Sequence, residues 1–112
     1  MHVFPQLVIA MLALGLSALQ GDVAAQELAD IAAGHTLARE VCAVCHEVEG
    51  GRTGSPHPDA PTFRRIAGEP GMTAIALNAF FHTPHKHMPD LVLTRDEIRN
   101  VSAYILTLKP GD

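Results

Sequence analysis

Cys42-Ala43-Val44-Cys45-His46 is the stretch that decides the fold of this chain. Two cysteines three positions apart, followed directly by a histidine, are typical of covalent c-type haem attachment. Residues three and four apart share one face of a helical segment, so both thiols can reach one edge of a flat ring and the imidazole can reach its iron. We therefore predict one haem c, attached covalently through Cys42 and Cys45, with His46 as an axial ligand of the iron.

Two other chemistries use a similar cysteine spacing. A structural zinc site usually takes four Cys or His ligands in paired clusters, and the chain contains only two cysteines. A thioredoxin-like dithiol follows a strand in an α/β pattern, and no strand pattern appears in this sequence. Haem attachment is the favoured interpretation.

The N-terminal 25 residues are predicted to be a signal peptide. Leu7 to Leu19 is almost entirely apolar, which suits the core of an export signal and is too short to span a bilayer comfortably. Val23-Ala24-Ala25 fits a cleavage site before Gln26, and haem attachment outside the cytoplasm agrees with export to the periplasm. No Lys or Arg precedes Leu7, so an uncleaved membrane anchor is the alternative.

The remaining residues, 26–112, are predicted to form one domain. The whole chain has 112 residues and a formal charge of −4, and cleavage removes a single carboxylate, that of Asp22, leaving −3. There is no basic patch, so nucleic acid is not an expected partner. Such a short chain buries only a small core, and we expect the haem to supply much of its apolar interior.

The first main helix is predicted to run from Gln26 to about Val44. Its inner face should carry apolar residues at three- and four-residue steps: Leu28, Ile31, Ala38, Val41, Cys42 and Cys45. Gly34 in its middle suggests a close approach of a second helix, and His35 is expected to be exposed.

A short helical turn and a second main helix are predicted in the middle of the chain. Thr62 can cap the turn and Gly68 can end it. The second helix should span 71–81 and stop before Pro84, with an inner face made of Met72, Ile75, Ala76, Ala79 and Phe80.

The last main helix is predicted to begin at a capping box formed by Thr94 and Glu97 and to run to about Lys109. Its buried stripe should consist of Ile98, Val101, Ile105 and Leu108, with Tyr104 beside it. The predicted fold is therefore all-α: three main helices and a short helical turn around one covalent haem.

A second axial ligand of the iron is expected opposite His46. The candidates are Met72, Met88, His57, His82, His85 and His87. Met88 is favoured because it lies in a proline-flanked loop, beside Pro89 and just before the last helix, whereas Met72 is expected in the core. A loop histidine and an open distal side remain the alternatives, and sulfur would favour ferrous iron relative to a second imidazole.

The chain resembles class I cytochromes c, the small periplasmic bacterial type, over essentially all of residues 26–112. The resemblance is carried by Gly34 and Leu37, the Cys42–His46 motif, Pro61, the Met88-Pro89 pair and the last helix with Tyr104-Ile105 and Leu108-Lys109. It implies that the first and last helices cross near Gly34 and Tyr104. It also implies that the Pro61 carbonyl accepts a hydrogen bond from the second ring nitrogen of His46.

Two features depart from, or add to, that pattern. Ala38 stands where many relatives have an aromatic residue, and the loop before Met88 is unusually rich in histidine. Arg64 and Arg65 are either ordinary surface charges or contacts of a haem propionate.

The expected function is that of a periplasmic single-electron carrier rather than an enzyme. Its iron would cycle between Fe(III) and Fe(II), and the protein, expected to be a monomer, would meet a periplasmic dehydrogenase as donor and an oxidase or reductase as acceptor in transient contacts. The alternatives are a dedicated haem subunit of a periplasmic oxidoreductase, and a five-coordinate or bis-histidine haem sensor or enzyme. The weak negative charge argues against strong steering toward an acidic partner.

Overall fold

The computed structural model describes residues 28–111, and within them the chain forms helices and no strand. The main helices are α1 (Ile31–Glu40), α3 (Ala74–Phe81) and α4 (Arg95–Thr107), with the short α2 (Phe63–Gly68) between the first two and a 3₁₀ turn at Cys42–Val44. This confirms the predicted all-α fold of three main helices and a short helical turn. The predicted signal peptide and its cleavage site lie outside the described residues.

Helix α1 is shorter than predicted at both ends. Its first turn is fixed by Asp30, whose carboxylate accepts a hydrogen bond from the backbone N–H of Ala33 at 2.9 Å. Leu28 therefore precedes the helix and is exposed, and Ile31 at its first position is half exposed, so their placement on the inner face was wrong. At the other end the helix stops at Glu40, and Val41 is also exposed.

Gly34 lies where α1 meets α4, as predicted. A Cβ atom at this position would lie 2.1 Å from the carbonyl oxygen of Asn100 in α4. The side chain of the same Asn100 accepts a hydrogen bond from the backbone N–H of Asp30 at 2.8 Å. Only a residue without a side chain lets the two backbones approach this closely.

Helix α4 supplies more of the buried hydrophobic residues than any other helix of residues 28–111. Thr94 and Glu97 form the predicted capping box, and Ile98, Val101 and Ile105 are each at most 5% exposed. Tyr104 is buried as well, and its hydroxyl donates to the carbonyl oxygen of Val48 at 2.5 Å. The helix ends at Thr107, because the 3₁₀-type bonds that follow it close the last turn.

The inner face predicted for α3 was wrong at Ile75 and omitted Leu77, whereas Met72 packs against the core and Phe80 borders the central cavity. Ile75 is 83% exposed and Phe80 is 51% exposed, whereas Leu77 is buried. The Thr73 hydroxyl caps the helix by accepting from Ala76 N–H, which starts it at Ala74. Nearly every residue of α3 is apolar, so the periodicity of the sequence does not show which face of the helix is buried. Packing against α4 buries the face that carries Leu77.

Candidate haem site

Both cysteines of the motif lie on the tight turn that follows α1. Backbone N–H groups of Cys45 and His46 bond to the Cys42 carbonyl oxygen at 3.1 and 2.9 Å, which winds the segment into a single turn. Cys42, Cys45 and His46 are all half-buried, and all three line the same cavity. The structure therefore brings together the three residues that the motif predicts to act together.

The imidazole of His46 is held by one hydrogen bond on its Nδ1 atom. The partner is the carbonyl oxygen of Pro61 at 2.6 Å. A carbonyl oxygen can only accept, so Nδ1 carries the proton and the lone pair of Nε2 is left for a metal ion. Phe63, two residues after Pro61, packs at a tilt against the ring with a centroid distance of 5.5 Å and limits its rotation.

The cavity beside these residues has a volume of about 530 Å³, within the roughly 300–1,000 Å³ of small-molecule and cofactor sites. Its walls come from α2, α3, α4 and the segment before α4, and the apolar lining includes Ile66, Leu77, Phe81, Leu91 and Ile105. Met88 lies on this lining together with Pro89.

Burial changes the acidity of one of the two thiols. Removal from water raises the pKa of Cys42 to about 11, because the thiolate loses its hydration. The side chain is therefore a neutral thiol at neutral pH. This pKa belongs to the free thiol before haem attachment, because the sulfur of a thioether carries no proton to lose.

The structure distinguishes only some of the candidates for the second axial ligand. Five of the six line the cavity: Met72, Met88, His57, His85 and His87. His82 does not line it, and its Nδ1 bonds to the carbonyl oxygen of Asn78 at 2.8 Å, at the end of α3. Met72 also packs against the buried cluster of the core.

The two arginines of α2 lie in different places. Arg65 lines the cavity and is 3.9 Å from a carboxylate oxygen of Glu69. Arg64 lies outside the cavity lining, and its guanidinium donates to the carbonyl oxygen of Gly50 at 3.4 Å. Of the two predicted propionate contacts, only Arg65 is placed beside the cavity.

The role of Glu47 was not expected from the sequence, and the expectation that His35 is exposed was wrong. Glu47 is buried next to His46, and its carboxylate accepts backbone N–H groups of Glu49 and Gly50. His35 is only partly exposed, because its ring stacks on Tyr104 at 4.6 Å between centroids and its Nε2 lies 2.8 Å from Glu49. Gly50, three residues after Glu47, indicates a turn at this point of the sequence. No sequence pattern predicts that the ring of His35 stacks on Tyr104.

The residues that surround the cavity fit a covalently attached haem. Two thiols and an imidazole with a free Nε2 come from one turn, and the cavity that they line is mostly apolar and contains the thioethers of Met72 and Met88. A flat apolar ring with one iron needs this set of groups. In this arrangement Cys42 and Cys45 would hold the ring, and His46 would bind the iron.

Comparison with known proteins agrees with this geometry. The family model for cytochrome c matches residues 31–109. The chain is also similar to cytochrome c-552 of Bradyrhizobium diazoefficiens, with 37% identity over 82 residues that cover 73% of this chain and 78% of that protein. No solved structure gives a significant match. Among residues 28–111, no helix has both the length and the apolar character needed to cross a membrane.

Proposed function

This chain belongs to the cytochrome c family and carries covalently bound haem c, and we propose that it is a periplasmic one-electron carrier with His46 and Met88 as axial ligands. The bound haem supplies the redox chemistry, the gain or loss of one electron at iron. The protein supplies attachment, ligand orientation and an environment with little water. We propose that it has no catalytic residues of its own and is not an enzyme.

The observation that carries the proposal is the orientation of His46. The Pro61 carbonyl fixes the proton on Nδ1, and this leaves Nε2 free on the ring whose cysteine neighbours line the cavity. A carbonyl partner also makes an imidazole a better donor to a metal ion. Phe63 restricts the ring from the side, so little rearrangement of this ligand is needed between the two oxidation states.

Met88 is proposed as the second axial ligand because of its place on the cavity wall. It lies between helices, next to Pro89, in a segment whose backbone is tied by a bond from Met88 N–H to the carbonyl oxygen of His85 at 3.4 Å. Met72 also lines the cavity, but its side chain already packs on the core. A thioether ligand favours ferrous iron and a higher reduction potential than a second imidazole would give.

The periplasmic location rests on the sequence of residues 1–25, which fits a cleaved export signal. Covalent haem attachment agrees with it, since the two thiols are joined to haem outside the cytoplasm. The proposed partners are periplasmic redox proteins, a dehydrogenase that reduces the carrier and an oxidase or reductase that oxidises it, met as a monomer in small transient contacts.

The experiment that tests the ligand set is a visible and near-infrared spectrum of the holoprotein with and without Met88→Ala. We expect the ferric protein to show the weak long-wavelength band of a methionine–iron bond. The variant should lose this band and bind cyanide or carbon monoxide readily, with the haem still attached by mass. Met72→Ala is the matched control and should keep the band. Unchanged ligand exchange in Met88→Ala would move the sixth ligand elsewhere.

A second candidate function is a dedicated haem subunit of a larger oxidoreductase. It is favoured by the outer face of α3, where Ile75 is 83% exposed and does not line the haem cavity, and by the absence of Asp, Glu, Lys and Arg from positions 70–85. An apolar exposed face without charge is typical of a permanent protein contact. Gel filtration of a periplasmic extract distinguishes the two: a free carrier elutes its haem absorbance at the monomer mass, and a subunit elutes it at a larger mass.

A further inference from the structure

A second concave surface lies on the side of α2 that carries Arg64. It is an open depression of about 610 Å³ formed by residues 50–53, α2 and Pro110, and we refer to it as the arginine depression. Arg52, Arg64 and Arg65 line it, together with one carboxylate, that of Glu69. We propose that the arginine depression is the docking surface for an acidic segment of the protein's redox partner. The inference rests on the proposed function, because the partner is the protein that exchanges electrons with the haem.

The charges of the depression are poorly neutralised. Arg52 and Arg64 form no ion pair with any carboxylate of residues 28–111, and the 3.4 Å contact of Arg64 with the Gly50 carbonyl is a long, neutral one. Arg65 approaches Glu69 only to 3.9 Å, and both side chains are mostly exposed. Three positive charges therefore face one negative charge, and two guanidinium groups have donors free for a carboxylate.

This concentration of positive charge is opposite in sign to the whole protein. The chain has eight Lys and Arg against twelve Asp and Glu, yet three of the eight line one depression. Salt screens exposed charges beyond a Debye length of about 8 Å at physiological ionic strength, so a docking partner responds to the local charge rather than to the sum over the chain. The net charge, from which the sequence analysis argued against an acidic partner, is therefore a poor guide for this surface.

The depression is also placed for electron transfer. Arg65 and Glu69 belong both to its lining and to that of the haem cavity, so the two concave surfaces share a border on α2. A partner seated on Arg52 and Arg64 would lie next to the cavity rather than on the opposite side of the protein. The arrangement separates two tasks: Arg65 at the border faces the cofactor site, and Arg52 with Arg64 faces the partner.

An acidic protein segment fits the depression better than a single small anion. The arginines come from two separate parts of the chain and line an open surface, and no heavy atom would lie within 4 Å of a Cβ added at Gly51. Several carboxylates along a peptide can each meet one guanidinium, whereas one phosphate meets only the nearest. Charge pairs at such an exposed surface each contribute little, which suits a contact that must form and separate rapidly.

The test uses the ferrous holoprotein labelled with nitrogen-15, titrated with a hexaglutamate peptide and followed by NMR. We expect the amide signals of Gly51, Thr53 and the first turn of α2 to shift, and the shifts to disappear at high salt. In the double variant Arg52→Gln/Arg64→Gln the affinity for the peptide should fall about tenfold, from two lost surface pairs. Arg95→Gln removes one exposed charge from α4, outside the depression, and should leave the affinity within about twofold of the unchanged protein.

Three outcomes would overturn the proposal. Shifts spread evenly over the protein, or unchanged by the double substitution, would mean that the arginines do not form a site. Equal shifts with inorganic phosphate at matched ionic strength would reduce the depression to a site for small anions. Co-sedimentation with phosphatidylglycerol vesicles in the absence of peptide binding would identify a lipid surface instead. The spectrum of the same protein after oxidation to the ferric state tests the proposed function separately, because a missing methionine band would leave the result of the peptide titration unchanged.

Discussion

Replacing Gly34 with alanine should destabilise the protein by forcing α1 away from α4. The new Cβ would lie 2.1 Å from the Asn100 carbonyl oxygen, 2.5 Å from its carbon and 2.9 Å from the backbone nitrogen of Val101. All three are backbone atoms of a helix, so none can swing aside as a side chain would. An ordinary contact requires 3.4 Å or more, and the helices must therefore separate by about 1 Å in a closely packed interior.

The size of the effect follows from two opposing terms. Overpacking a well-packed contact costs about 1–3 kcal/mol, and more when backbone must move. Alanine in place of glycine within a helix returns about 1 kcal/mol. We expect the packing term to win and the free energy of unfolding to fall by about 2 kcal/mol, which for a domain of this size lowers the Tm by about 10 °C.

The assay is denaturant and thermal unfolding of the holoprotein, followed by far-ultraviolet circular dichroism. Gly51→Ala is the matched control, because no heavy atom lies within 4 Å of its added Cβ, and its stability should stay within about 0.5 kcal/mol of the unchanged protein. The close approach of the two helices would be refuted if Gly34→Ala were as stable as the unchanged protein. It would also be refuted if the variant were more stable by only the amount that alanine gains over glycine in a helix.

Three further substitutions test contacts of α4. Thr94→Ala removes the capping box and should lower the free energy of unfolding by about 1 kcal/mol, measured by urea titration; no loss would mean that Glu97 or water replaces the cap. Ser102→Ala should be neutral or stabilising, because the buried hydroxyl has no hydrogen-bond partner within the described residues and its burial costs about 1–3 kcal/mol; a clear loss of stability would reveal a partner. Burial, and then the nearby Glu49 and Glu47 carboxylates, raise the pKa of Tyr104 above its ordinary value. The neutral phenol is thus favoured in the folded state, so stability should be full below about pH 10 and fall as the pH rises further. Tyr104→Phe should lose about 1 kcal/mol near neutrality through the missing bond to Val48 and lack that alkaline fall; equal alkaline slopes in the two proteins would contradict the argument.

Local rules predicted the parts of the fold that depend on neighbouring residues. The capping box at Thr94 and the cap at Thr62 were correct, because a side chain and a backbone group three residues apart meet whenever the helix forms. Three members of the predicted stripe, Ile98, Val101 and Ile105, are buried, because polar residues on the opposite face of α4 show which side faces the core. The fourth, Leu108, is only partly buried and lies just after the helix end.

The same rules failed where the sequence offered no contrast. In α3 almost every residue is apolar, and the face chosen from periodicity contained Ile75, which is exposed, and omitted Leu77, which is buried. At the start of α1 the apolar residue Leu28 continued the periodic pattern, but Asp30 caps the helix after it. In both cases the outcome depended on which neighbouring helix was near and on where a cap began the helix.

The candidate site shows the same division. The spacing of Cys42, Cys45 and His46 determines by itself that two thiols for ring attachment and one imidazole meet on one turn, since that geometry needs only a few consecutive residues. The separation of Arg64 from Arg65 could not be foreseen, because neighbours on a helix point about 100° apart and only the packing of α2 decides which one meets the cavity.

The sequence by itself determined the haem motif, the helical class and the caps, because these follow from spacings of three and four residues along one chain. Only the tertiary structure decided that His35 stacks on Tyr104 and which arginine borders the cavity, and it shows the contact of Pro61 with His46 that the family resemblance, not the spacing, had implied. These contacts join residues from 15 to 69 positions apart, as the pairs His46–Pro61 and His35–Tyr104 do. Their distances are set by how the helices pack, which no local pattern encodes.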